Sequence, residues 1–187
     1  EAVVKMSWLL KSAFLTPTLV GVLEGCRDKV AETDDLRVLT TPQNETIIAI
    51  SDTIIPRTDT PSASDVRSNY FMDLLLQDVF DKEARNDFLM GLAQFDEECV
   101  ESTGHSFSKL DGQQRFVYLE KLDKEIMERT YGEHVPFYYL FKELTITIYF
   151  SSEKGVTQNL NYTPVPGPYR GEVDFSTDTR IMVGNKL

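Results

Sequence analysis

Cysteine and histidine are scarce in this chain, at two each among 187 residues. Two thiols, Cys26 and Cys99, cannot build a multi-bridge scaffold, and no CxxC pair exists. His105 and His134 stand far apart, and their spacing with the cysteines fits no structural zinc pattern. Positive charge is also short: 19 Lys and Arg face 30 Asp and Glu, a net charge of −11. A nucleic-acid partner is thereby excluded, because phosphate binding needs a basic face. Direct electrostatic adhesion to anionic lipid is disfavoured for the same reason. There is no GxGxxG, P-loop, GxSxG elbow or HExxH, so no dinucleotide, nucleotide, serine-hydrolase or zincin site is legible. No apolar run reaches the roughly 20 residues of a comfortable transmembrane helix.

What is present begins with an apolar stretch, Trp8 to Leu23, preceded by Lys5. Its length suits the h-region of an export signal. Leu23–Cys26 resembles a lipobox, which makes Cys26 a candidate for lipidation. The competing expectation is a packing helix retained in the fold. Residues 1–26 are therefore expected to form a signal-like segment, residues 27–40 a charged linker, and residues 41–187 the folded domain.

Within that domain the periodicity predicts an all-α fold, a helical bundle with proline-rich loops. Thr41 and Pro42 start a first helix that runs through Ile47, Ile48, Ile54 and Ile55 and stops at Pro56. The polar string Arg57, Thr58, Asp59, Thr60, Pro61 follows as a rigid exposed loop, because Asp and Thr side chains bond their own backbone. Tyr70, Phe71, Leu74, Leu75 and Val79 mark a second helix. Asp81 caps a third, with Phe88, Leu92, Phe95 and Cys99 on its inner stripe, and Gly104 breaks it. Asp111 and Gln114 form a capping box for a fourth, with Phe116, Leu119, Leu122 and Ile126 facing in. Pro136 opens a fifth, carrying Phe137, Leu140, Phe141, Leu144 and Ile148. The β-prone run Thr145–Phe150 makes a strand the rival reading there. A short sixth helix begins at Ser151 or Ser152. From about residue 161, three prolines and two glycines in ten residues (Tyr162 to Gly171) predict an extended C-terminal arm.

No catalytic constellation emerges. Asp52 and Asp59 read as caps and turn formers rather than an acid–base pair. Asp96, Glu97 and Glu98 read as a solvated helix face, and His105 as a loop residue on the surface. The aromatic run Phe137–Phe141 with Tyr149 and Phe150 cannot all face one core. Tyr138 or Tyr139 is expected to be left over at the surface, and Tyr138 and Tyr149 are the expected interface anchors, against the alternative that the run packs wholly in the core.

Three ordered blocks carry a family resemblance. Ser51–Pro61 is the first, Phe141–Thr145 with Tyr149–Glu153 the second, and Gly155–Gln158 with Tyr162–Tyr169 the third. Together they resemble the gluconate 2-dehydrogenase subunit 3 family, although Ser62 stands where that family commonly has glycine. The resemblance implies a non-catalytic escort subunit without a cofactor of its own. Its partner would be a large FAD-dependent dehydrogenase subunit of the glucose–methanol–choline type, with a cytochrome c subunit as a further member of the complex. It also implies twin-arginine export to the bacterial periplasm, with membrane contact only through the signal or a lipid anchor. The expected interface is Arg57, Thr58, Asp59, Thr60, Pro61, Tyr138, Tyr149, Pro164, Pro166 and Tyr169. The alternatives are a stand-alone exported lipoprotein acting as a binding module, and a small hydrolase using Asp52 or Asp59.

Overall fold

A computed structural model describes residues 36–127, 135–162, 172 and 182–183. Among these, six helices account for nearly all regular structure: α1 (Thr41–Ile54), α2 (Ser68–Asp78), α3 (Lys82–Thr103), α4 (Gly112–Met127), α5 (Phe137–Ser151) and α6 (Glu153–Asn159). Short 3₁₀ turns at Ser64–Val66 and Phe107–Lys109 lie in two of the connections. The expected all-α bundle is what forms. The β-prone run Thr145–Phe150 is helical, inside α5.

Local chemistry sets the helix ends. Gln43 Oε1 accepts from both the backbone N and the Oγ1 of Thr40, at 2.9 Å each, so the cap is Thr40, one residue earlier than expected. Asp81 Oδ1 accepts from Ala84 N at 2.8 Å and starts α3. Asp111 and Gln114 close a reciprocal box on α4, at 2.8 and 3.1 Å. Gly104 ends α3 at φ 82°, a left-handed conformation that glycine adopts without the Cβ penalty. Arginines then occupy orphan carbonyls. Arg85 donates to Leu76 O and Gln77 O at the end of α2, and Arg115 to Phe107 O and Ser108 O.

Helix α1 lies at the centre and touches α2, α3, α4 and α5. It buries Thr46, Ile47, Ala49, Ile50 and Ser51, a broader face than the Ile pairs alone suggest. The core continues through Phe88, Leu92, Phe95 and Cys99 of α3, as the spacing predicts, and through Phe107, Leu119, Tyr138 and Phe141. Much of it is aromatic: Phe95 meets Phe107 and Tyr118 edge-on, and Phe88 meets Phe137. Cys99 is buried and free, and burial raises its thiol pKa, so it behaves as a small hydrophobe. Desolvation likewise pushes the Tyr118 phenol up to about 12.

Several expectations are corrected. Helix α2 turns Ser68, Met72, Asp73 and Leu76 inward, whereas Phe71 and Val79 are exposed. The reason is Asp73, fully buried, whose carboxylate accepts from Arg37 N at 2.8 Å, Val38 N at 3.0 Å and Leu39 N at 2.8 Å. Of the segment expected as linker, residues 36–40 are described, and there Leu39 sits in the core. Phe116 and Leu140 face outward rather than in. Asp96 leaves the solvated face assigned to it: it accepts from Ser106 Oγ and Phe107 N, each at 2.9 Å, and holds the second 3₁₀ turn. Residues 161–162 form a two-residue strand pairing in parallel with 182–183, so the start of the expected arm is part of a small sheet.

Replacing Asp73 with alanine leaves these three N–H groups without their acceptor. A loss of about 3 kcal/mol is expected, from the usual cost of removing a charged hydrogen-bond partner from a buried site. Urea unfolding should show it as a lower midpoint at unchanged slope. Exposed Asp59→Ala should shift stability by no more than about 0.5 kcal/mol.

Candidate functional site

The loop between α1 and α2 is built by its own side chains. Pro56 cannot continue the helix, and Ile55 leaves the helical region at φ −126°, ψ 83°. Thr58 N then donates to Thr60 O at 3.1 Å, and the Thr58 and Thr60 hydroxyls lie 3.1 Å apart. Thr58 Oγ1 also donates to Asp59 Oδ1 at 3.1 Å. Arg57 pairs with Asp65 across the loop. Asp65 Oδ2 accepts from Ser62 N at 2.8 Å and from Ser62 Oγ at 3.1 Å. The backbone N–H of Ser62, then its hydroxyl and the Arg57 charge, hold the Asp65 carboxyl below its ordinary value.

Both ends of the loop are anchored from other elements. Asp52, near the end of α1, accepts from Ser64 N at 2.8 Å and Ser64 Oγ at 2.7 Å. It is a cap, as its sequence context implies. Arg67 closes the segment in the left-handed region at φ 58°, with its guanidinium 4.7 Å from the Tyr70 ring centre. This conformation costs a residue with a Cβ about 1 kcal/mol.

The third anchor comes from far away in sequence. Tyr149, buried on α5, donates its hydroxyl to Pro61 O at 2.6 Å. The same hydroxyl accepts from Asn159 Nδ2 at 2.8 Å, and Asn159 also reaches Gly155 O at 2.9 Å. Ser152 caps α6 through Gly155 N at 3.0 Å. Gly155 itself lies so near Tyr149 that an added Cβ would stand 2.0 Å from the Tyr149 carbonyl oxygen. One phenol thus joins the loop, the end of α5 and the last residue of α6. Pro61 stands 88 residues before Tyr149 and closes the first sequence block, Tyr149 opens the later part of the second, and Asn159 directly follows Gln158 of the third.

The outcome is a shallow polar concavity lined by Arg57, Thr58, Asp59, Pro61, Lys154 and Gln158. Arg57, Thr58 and Asp59 are exposed, and Thr60 and Pro61 are half-buried. The expected interface residues of the loop therefore gather at one place. Tyr138 and Tyr149 do not join them at the surface. Tyr138 is 5% exposed and Tyr149 1%. The Tyr149 phenol finds its partner at Pro61, and burial, then the nearby Asp123 charge, raises the Tyr138 pKa. Asp123 in turn receives Lys142 Nζ at 2.7 Å, tying α4 to α5. The aromatic residues of this run left outside are Tyr139 and Phe150. His105 is exposed, as expected. Pro164, Pro166, Tyr169, Cys26 and His134 lie outside the described residues.

Sequence reasoning missed Gln158, whose only signal was its place in the third block, and Lys154, which falls between the second and third blocks. It also missed the roles of Asn159 and Ser62. Among the described residues, no three His, Cys, Asp or Glu side chains gather as a metal site, and no helix is long and apolar enough to cross a membrane.

The site is thus a polar loop fastened by hydrogen bonds to a small helical bundle. The sequence places it more closely. Residues 41–167 match the family model described as gluconate 2-dehydrogenase subunit 3, and the chain belongs to that family. It is thus related to a subunit of a multi-subunit dehydrogenase. No curated protein and no solved structure matches the chain.

Two measurements test the site. Tyr149→Phe removes both hydrogen bonds of the phenol and should cost about 1–2 kcal/mol. Amide exchange should quicken over residues 57–63 and not in α3 or α4; uniform exchange across the chain would deny Tyr149 its local role. Asp65 has a depressed folded pKa, so its contribution to stability is present above its unfolded value, 3.8, and is lost as pH falls through the folded one. An NMR titration should place its midpoint below 3.8, with loop order lost on further acidification. A midpoint at or above that value would remove the carboxylate from the account.

Proposed function

We propose that this chain is the small, non-catalytic escort subunit of an FAD-dependent sugar or polyol dehydrogenase. Its partner is a large flavoprotein subunit of the glucose–methanol–choline type, which carries the FAD and performs the oxidation. The small subunit supports folding, cofactor uptake and stability of that partner, and brings it to the periplasm on the export signal read in residues 1–26. A cytochrome c subunit completes the complex and takes the electrons. The family match over residues 41–167 carries this reading.

The loop geometry supports it. Arg57, Thr58 and Asp59 stand out from a frame fixed by Asp52, Asp65 and Tyr149, so little conformational entropy remains to be lost on docking. The proline-rich segment from Pro164 to Tyr169 is the second contact in this proposal.

Co-expression with the adjacent large-subunit gene, then size exclusion read at protein and flavin wavelengths, tests the function. Co-elution with a yellow flavoprotein, and a large subunit without flavin when this chain is omitted, is the expected result. A colourless monomer beside a large subunit active alone would leave an exported lipoprotein instead. Tyr169→Ala with Pro166→Ala should weaken assembly by about tenfold at unchanged helix content, the effect of losing one interface anchor.

A further inference from the structure

A helix at a protein surface carries apolar residues on one face and polar residues on the other. Helix α5 breaks that rule. Its inner face is filled by Tyr138, Phe141, Thr145, Ile148 and Tyr149. Its exposed positions are Tyr139, Leu140, Glu143, Ile146, Thr147, Phe150 and Ser151. Four of these seven are large apolar side chains, each 37–41% exposed, and one is charged. A helix that is apolar on both sides is one that is covered on both sides.

The patch extends beyond α5. A groove between α2 and α5 is lined by Phe71, Leu74, Leu75 and Val79 on one wall and Thr147 and Ile148 on the other. Phe71 is 46% and Val79 68% exposed. The same groove reaches Ser152, the cap of α6, two residues before Lys154 of the loop concavity. Apolar patch and polar loop are therefore neighbours across the α5–α6 junction.

Charge narrows the occupant. The chain carries a net −11, so two copies repel each other, and an anionic lipid surface repels it as well. Acids lie among the apolar positions, Asp78 in the α2–α5 groove and Glu143 on the outer face of α5. A partner that is apolar at the centre and basic at the edge satisfies both features. Family membership supplies another subunit to be that partner.

We propose that the outer face of α5 and the α2–α5 groove are the seat of the large dehydrogenase subunit, through an apolar surface edged by lysine or arginine. This rests on the function proposed above. It assigns the hydrophobic centre of the interface to residues outside the loop, which becomes its polar rim. An interface of standard size needs about 800 Å² from each side, more than a five-residue loop provides.

Hydroxyl-radical footprinting of the full chain, alone and in the purified complex, reads the aromatic side chains directly. Phe71, Tyr139 and Phe150 should react in the isolated chain and lose most of that reactivity in the complex. Ile146→Glu with Phe150→Glu should keep its helix content and weaken co-elution by at least about thirtyfold, as for a hot-spot pair. Glu143→Lys should slow association and flatten its salt dependence. Val79→Glu, at the exposed lip of the groove, gives the same readout should the double variant fail to fold. A wild type and variants that co-elute equally well would overturn this docking face and leave the escort function standing. Protection already present in the isolated chain, or a dimer of this chain that the variants dissolve, would overturn it in favour of self-contact. Binding to zwitterionic vesicles that the variants abolish, with co-elution intact, would overturn it in favour of a membrane. Absence of co-elution by the wild type would overturn the function itself, and this face with it.

Discussion

The buried carboxylate of Asp73 is the constraint on which the rest of the structure depends. A carboxylate taken out of water is tolerable only with a full set of hydrogen bonds. Asp73 obtains them from three consecutive backbone N–H groups, those of Arg37, Val38 and Leu39. That fixes the entry of the chain onto α2 and sets the phase of α2. It also places Leu39 in the core immediately before the Thr40 cap of α1. Because α1 touches α2, α3, α4 and α5, the position of its first turn is felt throughout the bundle.

Aspartate does similar work elsewhere. Asp52 holds the first 3₁₀ turn, Asp65 the loop before it, Asp96 the second turn, and Asp81 and Asp111 the starts of α3 and α4. In each case the acceptor meets backbone N–H groups that have no helical partner. Part of the chain's acidic surplus is therefore structural, a set of fasteners at the connections.

This division explains what was legible in the sequence. Helix number and order were readable, and most ends with them, because caps act within three or four residues: Asp81 with Ala84, Asp111 with Gln114, Ser152 with Gly155, while the Thr40 cap lies one residue before the Thr41 expected. The inner stripe of α3 was readable because Phe88, Leu92, Phe95 and Cys99 are all apolar. The phase of α2 was not, since two of its four buried residues, Ser68 and Asp73, are polar and the partners of Asp73 lie more than thirty positions away. The loop's identity as a rigid polar element was legible from its prolines, threonines and aspartate. Its attachment was not. Nothing local says that the phenol of Tyr149 reaches Pro61, 88 residues earlier, so periodicity alone leaves Tyr149 on the surface.

The fate of those tyrosines sharpens the view of how such a chain can present a surface. A phenol that finds partners inside becomes a fastener, as Tyr149 does between loop, α5 and α6, whereas Tyr138 is buried among the core aromatics. The aromatic residues free to meet another protein are then those that the interior does not use, Tyr139 and Phe150 on α5 and Phe71 on α2. Rigidity and availability are thus supplied by different residues of the same helix. Tyr149 turns inward and fixes the frame, and Phe150 beside it turns outward. A helix that must do both carries apolar side chains all round, which is why α5 has only two charged residues among its fifteen.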